Sequence, residues 1–181
     1  MIYFPPVNPL PLTQWKRNLL AVSASAALFG AGFTLVMPFL PIYVQQLGIH
    51  SKTSIAIWCG LLLGITPLIA ALVGPFWGRI ADRYGLKIMA IRISVVSSLI
   101  WLLMGLARDV YELFVLRILS GFFGGFGSLS VSLATHWCPN NRVSRAIGSL
   151  QATQTFSMAL GPFVGGMLAV WIGIQNTFFV T

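Results

Sequence analysis

Long apolar runs separated by short polar segments make up most of this chain. Five runs are long enough to cross a bilayer core of about 30 Å at about 1.5 Å per helical residue: residues 18–40, 54–77, 88–107, 111–134 and 146–172. A sixth run starts near residue 176. The pattern predicts an all-α integral membrane protein with a tail at residues 1–17, followed at 18–181 by a bundle of five complete spans and the beginning of a sixth.

The composition supports a membrane protein and argues against a nucleic-acid partner. Apolar residues make up 57% of the 181 residues and charged residues 8%, whereas a soluble domain carries about 25% charged residues. The formal net charge of +8 is spread in ones and twos at the ends of the apolar runs. This is the distribution of charges that orient membrane helices, so the predicted partner is the lipid bilayer.

The basic residues fall mainly on one predicted side of the membrane. Lys52 and Arg108 lie on the other side, Arg117 lies within a span, and the predicted cytoplasmic set is Lys16, Arg17, Arg79, Arg83, Lys87, Arg92, Arg142 and Arg145. Because Lys and Arg near short loops stay in the cytoplasm, the bias predicts a cytoplasmic N-terminus. We expect Arg92 to extend its side chain to the nearby interface.

Residues 78–87 connect the second and third predicted spans with a glycine at each end of a charged segment. We expect a tight cytoplasmic turn here, with backbone freedom from Gly78 and Gly85. The fourth span is expected to be one continuous helix through Gly124 and Gly125, which have no following lysine and therefore do not form a phosphate loop.

Four short motifs carry a family resemblance. Gly78-x-Ile80-Ala81-Asp82-Arg83-x-Gly85-x-Lys87 resembles the signature between helices 2 and 3 of the major facilitator superfamily. The helix 4 motif of that superfamily is similar to Leu113-x-x-x-Arg117-x-x-Ser120-Gly121-x-x-Gly124-Gly125, and the helix 5 motif of its antiporters is similar to Gly161-Pro162-x-x-Gly165-Gly166. The end of helix 1, Pro38-x-x-Pro41, resembles the pattern of its twelve-helix drug:proton antiporters.

This resemblance implies the N-terminal half of a proton-coupled multidrug efflux antiporter that works by alternating access. Such a protein is a multi-pass protein of the bacterial inner membrane, confers antibiotic resistance, exports amphipathic substrates and uses the proton gradient without a cofactor. It would need the missing C-terminal half, or a second copy. Two alternatives stay open: uptake, which Gly161-Pro162 argues against, and a truncated or half-size membrane protein that acts only through assembly. We expect that the chain alone does not transport.

The resemblance also implies roles for individual residues. Gly78, Asp82, Arg83, Gly85 and Lys87 would form a cytoplasmic gate. For Lys87 and Arg79, we favour the alternative of a purely orienting role in an ordinary turn.

Arg117 is implied as a proton-coupling residue, because a guanidinium inside a membrane usually faces a cavity or a partner. Asp109 and Glu112 are candidates to compensate its charge and to take part in coupling. The alternative for Arg117 is a side chain that extends to the outer headgroups.

Gly161 and Pro162 are expected to kink the fifth span, so that Gly165 and Gly166 pack against helices of the second half. The plainer alternative is a small-residue packing face.

Six aromatic and methionine side chains are candidates to line an apolar drug pocket: Phe29, Phe33, Phe122, Phe123, Phe126 and Met158. The sequence assigns a binding role to no single one of them. Trp58, Trp101 and Trp171 near the span ends are expected to be interfacial anchors.

Catalytic and metal-binding patterns are missing from the sequence. His50 and His136 are isolated and lack the spacing of metal ligands. No nucleophile, base and orienting group occur together. The sequence therefore predicts neither an enzyme nor a metal protein.

Overall fold

The computed structural model describes residues 12–136 and 138–172, which form only helices and the segments that join them. The α-helices are α1 Leu12–Leu35, α2 Leu40–Gln46, α3 Lys52–Tyr84, α4 Leu86–Gly105, α5 Val110–Phe123, α6 Phe126–His136 and α7 Val143–Ile172. Two 3₁₀ turns are present at Met37–Phe39 and Asn140–Arg142. The predicted all-α fold is confirmed.

Within the described residues, four segments are long and apolar enough to cross a membrane: Trp15–Gln46, Lys52–Tyr84, Leu86–Gly105 and Val110–His136. The fifth predicted span falls on α7, a helix of 30 residues. The sixth, near residue 176, lies outside the described residues, as does the tail up to residue 11.

The end of the first span is bent by its two prolines. Pro38 lies in the 3₁₀ turn and Pro41 in the first turn of α2, where a missing N–H does not interrupt the helical ladder. The chain then continues as α2. Tyr43 is fully buried there, and its hydroxyl donates a hydrogen bond to the Met104 carbonyl of α4 at 2.7 Å.

The predicted turn over residues 78–87 is wrong. Residues 78–84 continue α3, and the chain turns only at Gly85, whose φ of +92° is a conformation that glycine adopts without strain. At 33 residues, α3 is about 50 Å long, well beyond a bilayer core of about 30 Å. Its charged last turns therefore lie outside the hydrocarbon, where a helix is as stable as a loop.

The predicted continuous fourth span is also wrong. The helix stops at Phe123 and restarts at Phe126. Gly124 is extended and Gly125 has a φ of +101°, so the two glycines supply the conformations that a helix cannot contain.

Two apolar clusters hold the bundle together at its two ends. The first joins α2 to the far end of α4 and the start of α5 through Tyr43, Met104 and Leu113. The second joins α1, the α3–α4 hairpin, α6 and α7 through residues such as Met89 and Leu150. The second cluster therefore lies at the end of the bundle that carries most of the basic residues.

Helices α1 and α7 approach each other closely at glycines of α7. A Cβ on Gly161 would overlap Thr34 and lie 3.0 Å from the Ala31 carbonyl oxygen, and one on Gly165 would overlap the Leu35 backbone. The Ser157 hydroxyl also donates a hydrogen bond to the Ala27 carbonyl at 2.6 Å.

The expectation that Gly165 packs against the second half is therefore wrong, because α1 already occupies that face. Gly166 has nothing within 4 Å of a Cβ position, so its expected contact with the second half stays a prediction.

Gly161→Ala is expected to destabilise the bundle by about 1–3 kcal/mol, because the added methyl group overpacks the α1–α7 contact. Thermal unfolding of the purified chain in detergent, followed by helical circular dichroism, measures the change. Gly166→Ala is the matched control and should be neutral or slightly stabilising, since alanine favours a helix and meets no neighbour. Equal melting temperatures for the two variants would contradict the close packing at Gly161.

Candidate functional site

A cavity of about 380 Å³ opens beside the end of α3 that carries the proposed gate. Gly78 and Asp82 line it together with Trp77 of α3 and Ser128 and Ser132 of α6. The structure thus places the carboxylate of Asp82 at the wall of a cleft between three segments of the chain. The Asp82 side chain is exposed.

The other predicted gate residues lie outside this wall. Arg83 is exposed, with its guanidinium 5.8 Å from the ring centroid of Tyr84. Lys87 is exposed in the first turn of α4, and Gly85 makes the reversal between the helices. The structure therefore separates a cavity-lining pair, Gly78 and Asp82, from a solvent-facing pair of cations.

Arg117 is buried in the bundle, with 4% of its surface exposed. Its Nε has no hydrogen-bond partner, and its backbone carbonyl accepts a hydrogen bond from the Thr66 hydroxyl of α3 at 3.1 Å. The alternative in which its side chain extends to the headgroups is wrong, because neighbouring helices enclose the side chain.

The two outer acids are placed at the start of α5 rather than inside the bundle. Asp109 and Glu112 are both exposed, and the Glu112 carboxylate accepts a hydrogen bond from the Arg108 backbone N–H at 2.9 Å. A carboxylate at a helix N-terminus is favoured by the helix dipole. This hydrogen bond stays within the connection between α4 and α5, so the Glu112 carboxylate already has a partner at that end of the bundle.

The half-buried Arg92 of α4 directs its guanidinium towards α3. The Arg92 guanidinium stacks over the Trp77 ring at 3.5 Å from the centroid and lies 5.9 Å from that of Phe123. Its three nitrogens are buried and have no hydrogen-bond partner. The expectation that Arg92 reaches the interface is wrong, since the aromatic faces hold it inside the bundle.

Trp77 also binds the broken helix. Its indole N–H donates a hydrogen bond to the Phe122 carbonyl at 2.6 Å, one of the carbonyl groups at the end of α5 whose helical partners are lost at the break. Trp77 therefore joins the end of α5 through its N–H and α4 through its ring face. Trp77 lies eight residues before Gly85, and Arg92 lies seven residues after it. Their contact could be predicted only once the position of the turn between α3 and α4 was known.

A second cavity, of about 230 Å³, lies between α1, α3, α4, the α5–α6 break and α7. Phe29, Phe33, Phe126 and Met158 line it, as the sequence suggested for the apolar pocket. Phe122 and Phe123 instead pack around Trp77, with centroids 5.9 and 6.2 Å from its ring.

Trp101 also lines this second cavity and lies 5.2 Å from Phe29 between ring centroids. The expectation that it anchors the interface is wrong, because its indole is part of the interior. The two cavities meet at the broken helix, since Gly121, Gly124 and Gly125 line both.

Potential metal ligands do not gather in the described part of the chain, where no group of three His, Cys, Asp or Glu side chains occurs. The arrangement is that of an aromatic and glycine-lined cleft in a membrane bundle, with the Asp82 carboxylate at one end. Such a cleft suits binding and passage of small molecules.

Trp77→Phe is expected to speed amide hydrogen exchange at residues 122–128 about fivefold, because loss of one hydrogen bond between helices costs about 1 kcal/mol. Mass spectrometry of the chain in lipid nanodiscs measures the exchange. Trp58→Phe is the matched control, since Trp58 contacts Tyr111 and Phe114 through its ring, and it should leave this segment unchanged. Unaltered exchange in Trp77→Phe would refute the role of the indole N–H.

Comparison with known proteins gives the family. A model of the Major Facilitator Superfamily matches residues 22–181. Multidrug resistance protein MdtG of Rahnella sp. (strain Y9602) is 41% identical over 177 residues, which cover 98% of this chain and 43% of that protein. The MdtG proteins of Citrobacter koseri and Escherichia coli O81 (strain ED1a) are 42% and 40% identical, over 93% and 98% of this chain and 41% and 42% of theirs. The chain spans less than half the length of these relatives, and it belongs to the Major Facilitator Superfamily of membrane transporters.

Proposed function

We propose that this chain is the N-terminal portion of a proton-coupled multidrug efflux antiporter that works by alternating access. The observation that supports this most strongly is the aromatic cavity between α1, α3, α4 and α7 in a membrane bundle, combined with the identity of about 40% to MdtG proteins along most of the chain. The relatives are transporters, which favours transport over catalysis.

The substrates in this proposal are small amphipathic compounds that contact the cavity from within the membrane. Aromatic and thioether side chains provide apolar contact, and a few polar groups fix orientation. Substrate binding between two halves requires helices beyond those of this chain. The second half, or a second copy, is therefore the proposed partner.

Asp82, Gly78, Arg83, Gly85 and Lys87 form the proposed cytoplasmic gate. In support, Asp82 lines a cleft at the end of the bundle and is held on the rigid last turns of α3. An exposed carboxylate can meet the positive N-terminal ends of helices from the other half. Breaking that contact would open the cleft.

Arg117, with Asp109 and Glu112, is the proposed proton-coupling set. A buried guanidinium with an unpartnered Nε stabilises any carboxylate that loses its proton nearby. The Gly161-Pro162 and Gly165-Gly166 element is proposed to let α7 move with α1 as one unit. Pro38 and Pro41 set the bend by which α2 closes the opposite end.

We expect no export of the amphipathic dye Hoechst 33342 in everted vesicles by the 181-residue chain, and export when it is fused to the remaining part of MdtG from Escherichia coli O81. Half of an alternating-access bundle cannot enclose a path. A protonophore should abolish the export. Activity of the short chain alone would refute the need for a second half, and export that survives the protonophore would refute proton coupling.

Arg117→Ala in the fused protein is expected to reduce proton-driven export at least tenfold, while Arg117→Lys keeps part of it. Val115→Ala is the control, because Val115 is 54% exposed on the same helix. Equal amounts of protein in the membrane must be verified for each variant. Unchanged proton-driven export in Arg117→Ala would remove this residue from the coupling set.

The proposed orientation places the N-terminus and the α3–α4 hairpin in the cytoplasm of a bacterial cell. After replacement of Cys59 and Cys138 by alanine, Ser51→Cys should react with an impermeant maleimide in intact spheroplasts. Tyr84→Cys, at the other end of α3, should react only after permeabilisation. The reverse pattern would invert the topology.

A further inference from the structure

The cavity of about 230 Å³ between α1, α3, α4, α7 and the helix break has a wall without charge. Its described lining consists of aromatic, aliphatic, glycine and neutral polar residues, with Ser97 and Gln154 among the last group. The amide of Gln154 donates a hydrogen bond to the Ser130 hydroxyl at 3.1 Å. A charged ligand would have to lose its hydration here without a counter-ion, which is costly.

Arg117 makes a cationic ligand still less favourable. It is a buried guanidinium that precedes the cavity-lining Gly121 by four residues, one helical turn. The Thr66 hydroxyl, from another residue of the wall, is hydrogen-bonded to the Arg117 carbonyl. The nearby positive charge repels a cation, yet Arg117 does not line the cavity and so cannot pair directly with an anion.

The aromatic side chains are already engaged with one another. Phe29 stacks on Phe126 with centroids 4.9 Å apart and planes inclined by 17°, and Trp101 lies 5.2 Å from Phe29 at 39°. The ring faces that a cation would need are therefore partly covered. The exposed ring edges and the Met158 thioether suit a neutral aromatic ring.

The shape of the cavity indicates a flat ligand. Gly125 and Gly127 bring bare backbone to the wall. A Cβ on Gly125 would have its nearest neighbour at 3.8 Å and one on Gly127 would have none within 4 Å, so a ring can approach there without meeting a side chain. A cavity of about 150 Å³ lined by apolar side chains stays dry and binds benzene. The volume here, about half as large again, matches a bicyclic ring.

We propose that this cavity is a binding site for uncharged, planar, bicyclic aromatic compounds. The inference deepens the proposed efflux function, on which its biological meaning rests, by naming the ligand class that one half of the protein selects. The described lining of the site comes from α1, α3, α4, α7 and the helix break of this chain. Binding can therefore be measured on this chain.

The test compares two probes of nearly equal shape, quinoline, which is uncharged at neutral pH, and N-methylquinolinium, which carries a fixed positive charge. Calorimetric titration into the 181-residue chain in zwitterionic nanodiscs, with empty nanodiscs subtracted, gives the two dissociation constants. We expect quinoline to bind at least tenfold more tightly. Equal or tighter binding of the cation would overturn the proposal, as would a tenfold preference for quinoline-2-carboxylate over quinoline.

Met158→Trp localises the binding. Met158 lines the cavity and is 43% exposed, so a larger side chain can fill part of the site without disrupting the core, and quinoline binding should weaken at least tenfold. Met167→Trp on the same helix is the control, because Met167 is 54% exposed and does not line the cavity, and it should bind as the parent does. Circular dichroism verifies that both variants are folded.

Unchanged quinoline binding in Met158→Trp would place the ligand elsewhere and overturn the proposal. The outcome is independent of the transport assay. If the chain binds quinoline selectively but the fused protein does not export, the binding site stands and the proposed efflux function is wrong. If the fused protein exports but the chain does not bind selectively, the efflux function stands and the binding site is wrong.

Discussion

Every peptide group inside a bilayer must find its hydrogen-bond partner within the protein, because lipid tails offer none. This requirement is most demanding where the fourth span breaks at Gly124 and Gly125. The Trp77 indole satisfies the Phe122 carbonyl there, and the Ser128 hydroxyl and Leu129 N–H donate to the Gly125 carbonyl on the other side of the break. The break can therefore persist in lipid, and both cavities depend on it.

The same requirement explains the polar contacts elsewhere in the bundle. The Thr66 hydroxyl, next to Pro67, binds the Arg117 carbonyl of a different helix, and the Tyr43 hydroxyl binds the Met104 carbonyl near the end of α4. These polar side chains cross between helices rather than point to solvent. Together with the glycine contacts between α1 and α7, they fix helix positions that apolar packing against lipid would leave undefined.

The sequence predicted the fold class because membrane helices need only length and apolarity, which are visible in any single run of residues. It failed at Gly78, Gly124 and Gly125, since a glycine in a helical run is compatible with a turn, a break or an uninterrupted helix. The surrounding contacts decide among these. At residue 78 a long helix continues into water, and at residues 124 and 125 Trp77 stabilises a break.

The candidate site was predictable in part for a related reason. Asp82 and Arg117 are rare charges in an apolar chain, so they could be singled out without a structure. Phe29, Phe33, Phe126 and Met158 were correctly suggested for a pocket. Arg92 and Trp101 were misjudged, because distance from a span end does not reveal whether a neighbouring helix supplies an aromatic face. The partners of Gly161 and Gly165 likewise depend on which helix lies opposite.

The length of α3 has a mechanical consequence. Its last turns extend beyond the hydrocarbon as a rigid helical segment that ends at Tyr84. Asp82 lies two residues before that end. A helix longer than the membrane is thick adjusts by tilting. A thinner bilayer would increase that tilt and move the Asp82 carboxylate sideways by roughly the width of a side chain. The lipid composition would therefore influence the position of this acid.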